Sequence, residues 1–517
     1  MLKVSCSNLQ LVVFNLQLIT YTLFLMSTRK IATSTLWQLG SQGITMFLGF
    51  LGIKFVTTAL SQSLVGNYQT VYAFLQIFGI LADFGLYAIA VREYSQSKNQ
   101  AETLGSLFLL RGCITIISLA AAVLLAWVIP SFQGTPLPLG ITIAIFVPFF
   151  VLLSGMLRTV FQVSYKMHYV LIAEVIGKAI PIAIIGFIVF YGARESESLA
   201  LYHFFLALGG LGSFIIFLLS FYFVRRLLPV RPTFSNPEFW RLAKLATPFG
   251  LAFLATTIYR QSDVTLIALL RPEDYDIQNA YYGVVLRLAE IGFLLPTFIL
   301  NSALPMLSTG EKEGRDMSRF LGNILLGLLA LGSIVSLFSY FWARPLMLLL
   351  TRESYLSTAL TAGSDTALEL LSFSMFLSMI ITFCFYLLLS KHIWRPLLIT
   401  TAVAAVFSVS LNLFMIPQFG FVGAGITSIA THLLLAISLV VISLKRIKVS
   451  LSLDKFVRWI AFSLIIAILL VLTSPILTNS YRTLLAGVIG VGVSGILLYA
   501  LGLVPRAVLE GFRGGGD

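Results

Sequence analysis

The chain has 517 residues, of which 58% are hydrophobic and only 11% charged. Soluble domains carry about a quarter charged residues, so this composition excludes a water-soluble fold. The formal net charge of +13 is spread over short segments between apolar runs, a pattern of membrane topology with no basic stripe for nucleic acid.

Residues 1–28 are apolar but interrupted by Asn15, Gln17 and Thr20, and the sequence MSTRKI offers a second start at Met26. They read as an extension from an over-called start, with an interfacial helix or a signal-like segment as the alternatives. From there, apolar runs of about 20 residues recur, each long enough to cross a ~30 Å hydrocarbon core as a helix. Continuous runs such as LAAAVLLAWVI and GILLYALGLV lack the alternation of barrel strands.

The first lobe, 29–224, holds spans near 37–59, 68–90, 105–129, 138–160, 170–191 and 200–224. A basic connection at 225–245 reads as a linker on the anionic leaflet. A second lobe, 246–443, holds spans near 246–270, 279–306, 320–343, 366–389, 396–417 and 420–443. Residues 444–517 add spans near 459–478 and 482–503 and a short tail. The expectation is an all-α polytopic membrane protein of about fourteen helices, arranged as two six-helix lobes plus two.

Alternating the loops puts 24 Lys and Arg on one side and five, Arg194, Arg271, Arg344, Arg352 and Arg482, on the other. The basic side is cytoplasmic by the positive-inside rule, which places both termini in the cytoplasm and the chain in the cell membrane. The remaining five basic residues, Lys54, Arg111, Lys178, Arg260 and Arg287, fall inside spans. Cys6, Cys113 and Cys384 are isolated and the four histidines scattered, so no metal site is expected. No cofactor is expected either, and no phosphate-binding GxxxxGK[ST] loop occurs.

Residues 41–55 and 247–261 align weakly, with Gly43 on Gly250 and Lys54 within one residue of Arg260; Tyr68 and Tyr281 then match in the following helices. Such duplication is a transporter plan, with a site expected between repeats near the bilayer midplane. The segment VGNYQTVYAFLQIFGILADFGLYAIAVREYS at 65–95, with its ADFGL and VRE elements, is similar to the polysaccharide transport branch of the multidrug, oligosaccharidyl-lipid and polysaccharide exporter superfamily. FQVSYKMHY at 161–169, ATPFGLAFLATTIYRQSDVTLIALL at 246–270 and GFVGAGITSIATHLL at 420–434 fit the same pattern.

The resemblance implies a flippase that moves a polyprenyl-pyrophosphate-linked oligosaccharide outward by alternating access, for assembly of a cell-surface polysaccharide such as O-antigen or exopolysaccharide. It implies membrane lipids, a polysaccharide polymerase and chain-length machinery as partners; without a P-loop, energy, if coupled, is expected from an H+ or Na+ gradient or from consumption of the flipped product. A cation-coupled multidrug antiporter of the same superfamily and a non-transporting scaffold of a glycan-assembly machine stay open as alternatives. A polytopic glycosyltransferase would need paired acids in a sizeable loop, and the longest outward loop, 344–365, offers only Glu353 and Asp365.

Charges inside a bilayer face a partner, a bundle interior or water. At ~1.5 Å per residue, Arg260 and Arg287 stand about 15 and 12 Å from the outer ends of their spans and Lys54 about 9 Å. These three cations are expected to bind the anionic head group, with Tyr259 stacking on sugar. Against this, helical spacing pairs Arg260 with Asp263, Arg287 with Glu290, and Glu174 with Lys178. Asp83 is expected to pair with Arg111. Asp83, Asp263 and Glu290 are also candidates to exchange a proton or hold sodium.

Overall fold

The computed structural model describes residues 37, 40–83, 86, 90, 94, 100–227, 240–242, 244, 254–312, 316–391, 393–477 and 479–503. Within these, the side chains of 100, 101, 298, 301–312 and 394 are not described. The expected extension at 1–28, most of the linker, and much of the ADFGL and VRE elements lie outside the described residues.

The N-lobe comprises α1 (Gly40–Ala59), α2 (Gln62–Asp83), α3 (Gln100–Val128), α4 (Leu137–Val163), α5 (His168–Phe190) and α6 (Leu199–Arg225). The C-lobe begins with residues 254–261, continued by α7 (Asp263–Leu270). It goes on through α8 (Tyr275–Lys312), α9 (Ser318–Phe341), the short α10 (Ala343–Leu350), α11 (Ser364–Ser390) and α12 (Trp394–Leu444). Two lightly buried helices follow: α13 (Leu453–Thr473) packs on α9 through Ala330, Phe462 and Ile466, and α14 (Ser480–Ala500) meets α9 where Gly490 lies against Phe338. The described residues contain no strand, only an isolated bridge between Leu60 and Ser196.

Eleven described helices are long and apolar enough to cross a membrane. One of them, α12, breaks at Gly420, whose φ of 58° and ψ of −136° suit a residue without Cβ. There the chain folds back and brings Gly423 against Met415, so the spans expected at 396–417 and 420–443 are the two arms of one element. The break is pinned from the neighbouring turn: Gln278 accepts from the Phe421 amide at 3.0 Å, and Arg271 donates to the Pro417 carbonyl at 3.2 Å.

Apolar packing defines how the lobes meet. At the end carrying residues 60–62, 271–274 and 351–363, one core runs through both lobes, joining Val56, Leu60 and Val71 to Val264, Ile267, Val284, Met347 and Leu356. At the other end the described residues form separate cores: Leu86, Leu107, Leu157, Phe161 and Val224 belong to N-lobe clusters, and Leu321, Ile324, Leu387 and Leu439 to a C-lobe cluster. Among the described residues the bundle is thus sealed at the end poor in Lys and Arg, and the two lobes share no core at the basic end.

The seal depends on close approach of α2 and α8. A Cβ on Gly66 would overlap the backbone carbonyl of Asp276, so only glycine lets the two helices touch. Gly66→Val is expected to force the seam apart. The check is limited proteolysis and melting of the purified protein: a variant as stable and as protease-resistant as wild type contradicts a glycine-dependent seal.

Candidate functional site

The segment 254–270 and α8 form an antiparallel hairpin about the turn at 271–274, where Arg271 holds the Asp274 carboxylate through two bonds of 2.8 Å. The hairpin sets Arg260 and Gln261 against the face of α8 bearing Arg287, Glu290 and Phe293. From the sealed end, Arg260 lies ten residues before Leu270 and Arg287 twelve after Tyr275, about 15 and 18 Å at 1.5 Å per residue. Both therefore stand near the middle of a ~30 Å hydrocarbon core. Arg287 is deeper than expected because α8 begins at Tyr275, four residues before its apolar run.

Arg287 approaches Glu290 to 3.6 Å, and the other Glu290 oxygen accepts from Gln261 at 3.2 Å. Across the lobe boundary the Arg287 guanidinium faces the ring of Tyr72 on α2, 6.0 Å from its centroid. Arg287 and Glu290 keep 29% and 24% of their side-chain surface accessible, whereas Asn67, Thr70 and Asn279 in the seam above are buried. The half-buried Arg260 sits over the face of Phe293 at 4.8 Å, and among the described residues no carboxylate pairs with it. Arg260, Arg287 and Glu290 leave one uncompensated positive charge where the lobes begin to part.

The expected bond from Arg260 to Asp263 is not formed. Asp263 is buried and turns away, accepting from Tyr282 Oη at 2.7 Å and from Asn412 Nδ2 at 2.8 Å. Helical spacing permitted the pair, but a buried carboxylate needs donors on both oxygens, and α8 and α12 provide them.

Two expected ligands of the head group are engaged elsewhere. Lys54 donates to the carbonyls of Thr351 at 2.6 Å and Leu348 at 3.3 Å, at the C-terminal end of α10. Those last-turn carbonyls lack intrahelical partners and carry the negative end of the helix dipole, so an ammonium is favoured there. Tyr259 is buried, with His432 against its ring at 5.7 Å, and has no open face for a sugar.

Of the remaining charges, Asp83 lies 2.5 Å from Arg111. Glu174 is held by Arg158 at 3.0 Å and by Ser41 at 2.8 Å, so Arg158 takes the place expected for Lys178. Lys178, one turn further along α5, keeps an exposed side chain. Sequence reasoning did not anticipate Phe293, His432 or Asn412 at this site; aromatic and amide residues in apolar runs give no signal until the helices are assembled.

The polysaccharide biosynthesis protein family matches residues 31–311, more than half of the chain. No curated protein matches it in sequence. Among solved structures, the lipid II flippase MurJ in an inward closed conformation is similar with a TM-score of 0.66 at 14% identity, over 90% of this chain and 97% of that one. An inward-facing multidrug resistance MATE family transporter of the MOP superfamily gives a TM-score of 0.58 at 12% identity, over 81% and 95%. The eukaryotic MATE transporter AtDTX14 gives 0.52 at 14%, over 79% and 96%. These likenesses concern the fold, which is that of MOP-superfamily transporters. The sequence match extends from α1 to the end of α8 and takes in both arginines of the site: the chain belongs to the polysaccharide biosynthesis protein family.

Proposed function

We propose that the protein is a flippase that carries a lipid-linked oligosaccharide, its pyrophosphate bound by Arg260 and Arg287, from the cytoplasmic to the outer leaflet of the cell membrane. The observation that carries this reading is the uncompensated Arg260 beside the Arg287–Glu290 pair, near mid-membrane, where the shared core ends and the lobes separate. Guanidinium groups form paired N–H bonds to phosphate oxygens and replace the water a phosphate sheds in crossing. The lipid tail stays in the bilayer beside the bundle.

The family and the MurJ likeness support a lipid-linked glycan over a free solute. The charge balance disfavours a carrier of organic cations, since Glu290 is held by Gln261 and Arg287, and Asp263 is enclosed. With the basic side in the cytoplasm, the sealed end is the outer one and the arrangement is inward-facing. Polymerase and chain-length proteins would act on the product.

The test is export of lipid-linked glycan in cells carrying Arg260→Ala, Arg287→Ala or both, with membrane abundance measured alongside. Each single variant is expected to lower export at least tenfold, from a loss on the order of 1.5–3 kcal/mol per charged hydrogen bond, and the double variant to abolish it. Normal export by an abundant double variant would rule out the head-group role and favour a scaffold.

A further inference from the structure

Arg260 meets the rest of the protein chiefly through a ring. Its guanidinium carbon stands 4.8 Å from the centroid of Phe293, which is itself buried. A second ring meets Phe293. His432, on the second arm of α12, stacks on Phe293 with centroids 5.4 Å apart and planes at 9°. Tyr259 closes on His432 edge-on at 5.7 Å.

The imidazole is fixed in its turn. His432 Nδ1 donates to the Ser428 carbonyl at 2.7 Å, and Ser428 Oγ meets Ser374 Oγ of α11 at 2.9 Å. A ladder thus runs from α11 through Ser428, His432 and Phe293 to Arg260, and all of it but the arginine is buried.

We propose that Phe293 and His432 are positioning residues for Arg260, holding its guanidinium by the face so that its N–H edge is presented to a phosphate-bearing head group. This rests on the reading that Arg260 binds that head group. The aromatic face attracts the cation without consuming a hydrogen-bond donor, unlike a carboxylate, which would occupy the same N–H groups a phosphate needs. A flexible Arg must lose rotamer freedom on binding; one already held on a fixed ring loses less. His432, as a flat ring with one anchored nitrogen, keeps Phe293 from tilting.

The test uses the purified full-length protein in detergent with inorganic pyrophosphate as probe, following the rise in melting temperature with concentration. Phe293→Leu and His432→Ala are expected to raise the half-saturating pyrophosphate concentration about tenfold. Phe293→Tyr and His432→Phe, which keep flat rings, are expected to stay within about twofold of wild type. Arg260→Ala should weaken the response by at least tenfold, and Arg260→Ala with Arg287→Ala should remove it.

The outcomes separate the two ideas. An unchanged response in Arg260→Ala, or no response in wild type, overturns the head-group reading itself. Weakening in Arg260→Ala with wild-type affinity in both Phe293→Leu and His432→Ala overturns the positioning role alone. If Phe293→Leu does not fold, the His432 pair decides: equal weakening in His432→Ala and His432→Phe means the ring is not what matters, and the proposal fails.

Discussion

A chain carrying Lys54→Met together with Arg352→Met is expected to open at its sealed end. The reporter is Gln69→Cys, buried in the α2–α8 seam, in a background with the native cysteines replaced by serine. Labelling by a membrane-impermeant maleimide should rise at least tenfold over the same reporter without the two substitutions. The reason lies in what crosses the lobe boundary. Lys54 of α1 donates to Leu348 and Thr351, Thr57 donates to Leu350 at 2.9 Å, and Arg352 donates to the Leu60 carbonyl at 3.1 Å. Arg352 also pairs with Glu195, but that carboxylate is two-thirds exposed and the pair adds about 0–1 kcal/mol.

The charge-assisted bonds to carbonyls are the stronger part, about 1.5–3 kcal/mol each. The two substitutions remove three of them and change the closed-to-open ratio by roughly 10² or more, at about 1.4 kcal/mol per tenfold. The seam beneath remains: Ser63 with Asp276, Tyr275 Oη to Asn67 at 2.7 Å, and Asn279 to Thr70 at 2.9 Å. Its bonds are shorter in reach and mostly neutral, so they give register more than strength. Unchanged labelling in an abundant double variant would show that the apolar core alone keeps this end shut.

The same residues show where sequence reading succeeds and where it stops. Apolar runs ending at Gly, Pro and charge locate the spans, because the bilayer imposes length and polarity on each helix separately. Arg287 and Glu290 are legible as a pair, being neighbours on one face of one helix. Lys54 was not legible: its acceptors are backbone carbonyls some 290 positions away, and every residue has a carbonyl. Asp263 misled for a related reason, since the spacing to Arg260 is visible in the sequence and the donors on α8 and α12 are not. Depth along a helix could be counted from the sequence only as well as the helix start was placed, which for α8 lies four residues before its apolar run, and direction around it depended on partners.

Asp263 has the second large expected effect. Both of its oxygens accept bonds in a buried site, and the amide that donates to one of them has an acceptor left over: Asn412 Oδ1 has no hydrogen-bond partner among the described residues. A buried carboxylate in contact with an amide that has a spare oxygen is a place where a proton or a small hard cation, whose ligands are carboxylate and amide oxygens, can be held. The coupling ion of the proposed flippase is therefore expected to act here and not at Glu290, which Gln261 and Arg287 already satisfy. Asp263→Ala strands the Tyr282 hydroxyl and the Asn412 amide, at about 1–3 kcal/mol for each buried unsatisfied group, and should lower the melting temperature. Asp263→Asn keeps the shape and removes the charge. Its export is expected to fall to the level wild-type cells show when ionophores collapse the proton and sodium gradients, and to fall no further when they are added. Export by Asp263→Asn that stays at the wild-type level and still responds to ionophore would place the coupling elsewhere, leaving Asp263 as a structural link between α7, α8 and α12.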